Sequence, residues 1–349
     1  MAATNNRLLL VLGPVILLAV FSLLQNFPVL ESTRTSFLLN KTSEKAVIEE
    51  TPTKDSLATR NPQSATIVEE SEIDWSDKIF EKGHYESPIV VESHKLVFFP
   101  TAKAGSTVFK RLFRRMMGYS DWLEKMPHNY SDSGLKRLFE YSRDEQLVMM
   151  TSPEWTRAIF VREPIERTLS AYLDKGLRRT YMQYHCCGRK GPNKISKPLW
   201  KERGEFCDRY PFVPFDTPGG KYQNDFTFEY FVNTAMTECY NVHWNPQHIR
   251  IEKTKNWKLI NFVGKHDNNM ADSHLMLKKI GAFEEFGASG WGTFRNESIF
   301  QKNHAGHGTG SSSRIDKYYT PELRKRVFEH VRGDYEMEIF NFTIPPDLL

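Results

Sequence analysis

The chain has 349 residues, 40% hydrophobic and 26% charged, with a formal net charge of +4. That is enough to build one large globular domain or two small ones around a substantial core. No segment carries the density of Lys and Arg expected of a nucleic-acid-binding tail, whereas the mild basic excess suits an acidic substrate.

Residues 1–7 read as a short cytosolic tail and residues 8–30 as a transmembrane signal anchor. Positions 8–24 (LLLVLGPVILLAVFSLL) hold no charge, Arg7 precedes them, and Glu31 is the first charge after them. The positive-inside rule then leaves the rest of the chain lumenal. A cleaved signal peptide is the alternative, and it leads to the same compartment. Residues 31–72 turn to Thr, Ser, Glu, Lys and Pro with Phe37 as the only aromatic, the composition of a flexible stem. Sequons at Asn40, Asn129, Asn296 and Asn341 agree with a lumenal domain over residues 73–349. Four cysteines, Cys186, Cys187, Cys207 and Cys239, point to disulfides in an oxidising compartment. Cys186 and Cys187 are each expected to pair with Cys207 or Cys239, because adjacent cysteines rarely bond one another. No metal site is expected.

Ile89-Val90-Val91 and Leu96-Val97-Phe98-Phe99 read as two strands separated by Glu92-Ser93-His94. The second runs into Pro100, then the small-residue loop Thr101-Ala102-Lys103-Ala104-Gly105-Ser106-Thr107, then a helix with Val108, Leu112 and Phe113 on one face, ending near Met117. Amide N–H groups in such a loop and at a helix N-terminus favour an anion, and Lys103, Ser106 and Thr107 converge there. The loop lacks the G-x-x-x-x-G-K-[ST] spacing, which disfavours an ordinary ATPase or kinase. Lys110, Arg111, Arg114 and Arg115 read as the helix's solvated face. A polar loop over 120–133 and a helix over 134–141 follow.

Thr156 to Val161 (TRAIFV) is a buried strand closed by Arg162, and Pro164 can open a helix carrying Ile165, Leu169 and Tyr172. This second junction places Arg162 for a bidentate phosphate clamp and adds the Ser170 hydroxyl. Ligands of open α/β sheets bind at the carboxyl ends of strands, where both junctions would lie. Two such junctions imply a ligand with two separated anionic ends. His304 and His307 in NHAGHGTG read as loop residues, and a helix starting at Thr320-Pro321-Glu322 turns Leu323, Val327, Phe328 and Val331 inward.

Residues 162–172 (REPIERTLSAY) closely resemble the R-[DE]-P-x-x-R-x-x-S-A-Y signature of the Golgi carbohydrate sulfotransferases, the chondroitin and dermatan 4-O-sulfotransferase group in particular. Short matches follow at His243-Trp244, Asn261 to Lys265, Tyr318-Tyr319-Thr320 and Asp334-Tyr335. The resemblance implies an α/β P-loop-like sulfotransferase fold, a central parallel sheet flanked by helices and preceded by the transmembrane helix. It also implies an enzyme using 3′-phosphoadenosine 5′-phosphosulfate (PAPS) on a glycosaminoglycan-like acceptor, anchored in the Golgi membrane, with room for a homodimer. Carried over residue by residue, Lys103, Ala104, Gly105, Ser106 and Thr107 would hold the phosphosulfate, and Arg162 and Ser170 the 3′-phosphate. Arg167 would approach the ligand or serve structure, and Arg314 would close over the nucleotide or remain solvated. His128 and His243 are the candidates for the general base that an acceptor hydroxyl needs. Two departures stand out: Thr101-Ala102 separate Pro100 from Lys103 where the family's first loop has no spacer, and residues 185–218 have no counterpart. The rival classes are a type II glycosyltransferase, disfavoured by the lack of D-x-D, and a tethered glycan-binding protein without chemistry.

Overall fold

Strands that are apolar at both parities are stable only with both faces covered, and the molecule is built around three of them. The structure is a computed structural model that describes residues 73–84, 86–128, 132–187, 227–251, 254–288 and 308–349. The predicted tail, anchor and stem, the sequons at 40, 129 and 296, His304, His307 and most of the unmatched insert lie outside the described residues. Among the described residues no helix is long and apolar enough to cross a membrane.

The elements in order are β1 (Ile89–Val91), β2 (Leu96–Phe99), α1 (Ser106–Met116), α2 (Arg143–Thr151), β3 (Thr156–Val161), α3 (Pro164–Ala171) and α4 (Arg179–His185). After them come β4 (Phe262–Lys265), α5 (Asn269–Lys279) and α6 (Pro321–Glu336). The sheet order is β1-β2-β3-β4, with β2, β3 and β4 parallel and β1 antiparallel to β2. The expected central parallel sheet is β2-β3-β4, and β1 adds an antiparallel edge strand that makes the whole sheet mixed. The reason was present in the sequence: a parallel crossover takes a dozen or more residues, and only Glu92-Ser93-His94 and Lys95 join the first two strands.

Alternation within β2 and β3 feeds two cores. Leu96, Phe98, Ala158 and Phe160 pack with Phe109, Leu112 and Phe113 of α1, while Val97, Phe99, Ile159 and Val161 face Met149, Met150, Trp257 and Phe340. A third cluster gathers Ile165, Leu169 and Tyr172 with Phe231, Trp244, Val327, Phe328 and Val331. The predicted inward face of α6 is thus the observed one. The helix expected over 134–141 is a single 3-10 turn, Leu138–Glu140, and the real helix is α2, started by Ser142 in a capping box with Glu145. On α1 one expected surface residue is internal: Arg114 is 1% exposed and donates to Asp121 and to the Ser133 carbonyl.

One disulfide among the described residues joins Cys186 to Cys239, one of the two pairings expected for Cys186. Cys187 is also disulfide-bonded, and Cys207 lies outside the described residues.

Candidate functional site

The two junctions lie at one edge of the sheet, because parallel β2 and β3 deliver their carboxyl ends together. After Pro100 the chain turns tightly, with Lys103 at φ 69° and Gly105 at φ 81°. Gly105 is the N-cap of α1 and makes no side-chain cap to the first amides of the helix. Ala104 is buried beneath this turn, and Ser106 and Thr107 begin the helix. On the second junction Pro164 opens α3, whose N-terminal amides at Ile165 and Glu166 are capped by the Glu163 carboxylate.

The second junction holds the first in place. Arg162 donates to the Lys103 carbonyl at 3.2 Å, and Arg167 donates to the Ala102 carbonyl at 2.9 Å. The Thr101-Ala102 spacer thus gains an anchor from an arginine sixty-odd residues away. Arg167 is 2% exposed and gives its other nitrogens to the carbonyls of Asn245 and Val242, both at 2.8 Å. Its whole fork thus lies on backbone carbonyls. Gln247 pins the end of β3 in turn, accepting from the Arg162 N–H at 2.9 Å and donating to the Arg162 carbonyl at 2.8 Å. Asp334 of α6 accepts from the N–H groups of Gln247 and His248 at 2.9 and 2.7 Å.

Lys103 turns its ammonium inward to Asp174, 2.8 Å away. Burial pushes its pKa down to about 8 in spite of that carboxylate. Burial alone would raise the Asp174 carboxyl, but Lys103, Lys175 and Arg178 outweigh it and hold the group well below the usual carboxylate range.

Both candidate bases lie near this loop. His128 Nε2 is 3.0 Å from Thr107 Oγ1 and its Nδ1 is 3.5 Å from Lys110 Nζ, so α1 orients the ring. Burial, then Arg137 and Arg250, push the Lys110 ammonium down to about 7. His243 is enclosed: its Nδ1 meets Asn241 Oδ1 at 2.7 Å and the Tyr181 hydroxyl at 3.1 Å. Burial and the charges of Lys175 and Lys103 drive its pKa well below 6.5, so the imidazole is neutral near pH 7.

A match to the model of the sulfotransferase family spans residues 87–343, well over half of the chain. The chain belongs to that family. Human carbohydrate sulfotransferase 9 is 27% identical over 271 residues, covering 75% of this chain and 54% of that protein. Human carbohydrate sulfotransferase 8 is 32% identical over 272 residues, 75% of this chain and 57% of that protein. Rat carbohydrate sulfotransferase 11 is 28% identical over 211 residues, 55% and 52% respectively. The chain spans about half the length of the curated relatives it matches. No solved structure matches it significantly.

In this member of the sulfotransferase family a hydroxyl-rich segment lies over the second junction. Ser170 Oγ is 3.0 Å from Thr309 Oγ1, and Arg162 donates to Ser311 Oγ at 2.8 Å and to Glu166. Ser312 Oγ completes the contact by donating to Glu166 at 2.5 Å. Arg314 follows on an exposed turn, Ser312–Arg314. The residues the sequence reading passed over are Asp174, Lys175, Arg178, Tyr181, Asn241, Gln247 and Ser311. Most work through contacts more than fifty positions apart, which no local spacing announces; the acidic and basic run of 174–178 is the one local signal, and it resembles an ordinary helix surface.

Proposed function

We propose that this chain is a PAPS-dependent carbohydrate O-sulfotransferase acting on a glycosaminoglycan-like hydroxyl, held in the Golgi membrane by residues 8–30 with its catalytic domain lumenal. The observation that carries the reading is the joining of two anion-ready junctions at one sheet edge, in a chain that belongs to the sulfotransferase family. The residues fit such a donor: the N-cap of α1 is Gly105, which makes no side-chain cap, and among the described residues the buried Nε of Arg162 has no hydrogen-bond partner.

PAPS supplies a sulfuryl group already activated on a phosphate leaving group. Lys103 and the amides of Gly105, Ser106 and Thr107 bind its anionic end and stabilise the charge that builds on the leaving oxygen. Arg162 and Ser170 bind the 3′-phosphate, exchanging contacts with Thr309 and Ser311, and Arg314 stands on the adjoining turn. A histidine takes the proton of the acceptor hydroxyl as its oxygen bonds to sulfur. His128 suits this role better, because its ring is fixed beside Thr107 at the accessible side, whereas His243 is held inward by Asn241 and Tyr181.

The full chain, assayed with labelled PAPS on a panel of chondroitin, dermatan, heparan and simpler glycans, is expected to label at least one. Lys103→Ala and Arg162→Ala are expected to lower turnover by roughly 10²-fold or more when assayed well below the melting temperature of each variant, which falls because each change breaks a buried ion pair. His128→Asn is expected to cost about 10²-fold or more in kcat with 3′-phosphoadenosine 5′-phosphate (PAP) binding unchanged. The same loss from His243→Asn alone would move the base there. Absence of transfer to every glycan, together with no thermal stabilisation by PAP, would sink the enzyme reading in favour of a glycan-binding protein.

A further inference from the structure

Three cations converge on one buried carboxylate. Asp174 has a side chain 9% exposed, and around it lie Lys103 Nζ at 2.8 Å, Arg178 NH2 at 3.1 Å and Lys175 Nζ at 3.4 Å. Among the described residues no other carboxylate pairs with any of the three. The cluster therefore carries a surplus of two positive charges, with Lys103 as enclosed as Asp174 and with Lys175 and Arg178 nearer the surface. Holding like charges together in a poorly solvated place is unfavourable unless an anion of matching charge enters.

The backbone there is shaped to make the cluster. Asp174 and Lys175 are successive residues, which do not face one another in a regular α-helix. They meet on a wide π turn, Tyr172–Gly176, closed by the Leu177 N–H on the Tyr172 carbonyl at 2.9 Å. Gly176 permits that turn, since a Cβ there would lie 2.6 Å from Tyr172 Cδ2 and 3.2 Å from Phe231 Cδ2. Turns of this kind inside α-helices are frequent at functional sites. The cluster lies between the donor loop and the His243 network: Lys175 Nζ is 5.1 Å from the Tyr181 ring, and the Tyr181 hydroxyl is 3.1 Å from His243.

We propose that Lys175 and Arg178 complete the anion subsite that Lys103 begins, binding the 5′ end of the donor, and that Asp174 is the positioning residue that gathers all three cations beforehand. The proposal rests on the PAPS reading. Arg162 touches the Lys103 carbonyl, but its guanidinium and the Ser170 hydroxyl also reach residues 309–311, which Lys175 and Arg178 do not contact, so the two subsites would take the two anionic ends of one nucleotide.

The test is calorimetric titration of the full chain with PAP and with adenosine 3′-phosphate, which lacks the 5′ group. Lys175→Met and Arg178→Met are each expected to weaken PAP about tenfold, the loss of one charge-assisted contact, and to change adenosine 3′-phosphate binding less than about twofold. Lys175→Arg is expected to restore most of the PAP affinity. Asp174→Asn is expected to lower kcat about tenfold and to move the fall in PAP affinity with rising pH to lower pH, because Lys103 is no longer held and loses the carboxylate that keeps it charged. Melting curves identify any variant that fails to fold, and the partly exposed Lys175 and Arg178 sites tolerate truncation best. If wild type binds neither nucleotide, the PAPS reading itself fails. If wild type binds PAP and both Met variants match it, or if only the acceptor KM changes, the donor reading stands and this proposal is overturned.

Discussion

Arg167 donates to the carbonyls of Ala102, Val242 and Asn245 and is pushed down to a pKa of about 10 by burial, still fully charged at neutral pH. Truncation to Met would strand three acceptors, two of them on segments that bound the site. We expect Arg167→Met to cost about 3–5 kcal/mol, given the 1–3 kcal/mol per lost contact to a charged group, and to lower Tm by roughly 10 °C. Arg167→Lys should recover little, because a single ammonium cannot span the fork. A variant with unchanged Tm but no PAP binding would return Arg167 to the ligand. Lys103 gives a residue-scale prediction in pH. Its folded pKa of about 8 lies below the ordinary 10.5, and an anion needs the ammonium form. Affinity for PAP should therefore be full below pH 8 and fall as pH rises beyond it, by up to about tenfold per unit, with a proton taken up on binding. Calorimetry in buffers of different ionisation heat checks this, and a flat profile between pH 7 and 9.5 would contradict it.

At the scale of elements, β4 shows how tightly the parallel strands are fitted. A Cβ on Gly264 would stand 2.3 Å from Phe160 Cε1, and Phe160 is itself locked against Phe109 with ring centroids 4.3 Å apart. Gly264→Ala should therefore cost about 1–3 kcal/mol through overpacking, and Phe160→Leu in the same chain should relieve part of it. Urea melts of the single and double variants measure that coupling, and additive losses would refute it. The same elements show what was readable beforehand. β2, β3, α1, α3 and α6 were legible because each carries its own signal: apolar runs, Pro at N1, or an inward stripe at helical spacing. The direction of β1 was legible too, had its four-residue connection been weighed against the length of a crossover. Asp174 was not, because its meaning depends on a π turn and on Lys103, seventy-one positions earlier. Arg167 was ambiguous for a related reason, since its acceptors are backbone carbonyls, which every residue possesses. Lys103, Arg162 and Ser170 could be named from their junctions, but the contacts that Ser170 and Arg162 make to Thr309 and Ser311 span more than a hundred positions.

Across the whole molecule, the Cys186–Cys239 bridge ties the end of α4 to the segment that leads into Asn241 and His243. Tyr181 lies on α4 and meets both of those side chains, so the bridge closes a ring of contacts around the enclosed histidine. With 53 positions between the two cysteines, loop-closure entropy puts the stabilisation at roughly 4 kcal/mol, and Trp244, packed at 0% exposure with its Nε1–H on the Cys239 carbonyl, depends on the same segment. Cys239→Ser in the full chain should lower Tm by roughly 10 °C, and reduction of wild type, which also opens the bond of Cys187, should lower it at least as much. The bridge should matter to the site beyond stability. Well below its new Tm, the variant should bind PAP with less than the wild-type affinity if the ring around His243 and Lys175 positions the donor subsite. A variant that is less stable yet binds and turns over as wild type at 20 °C would confine the bridge to holding the fold.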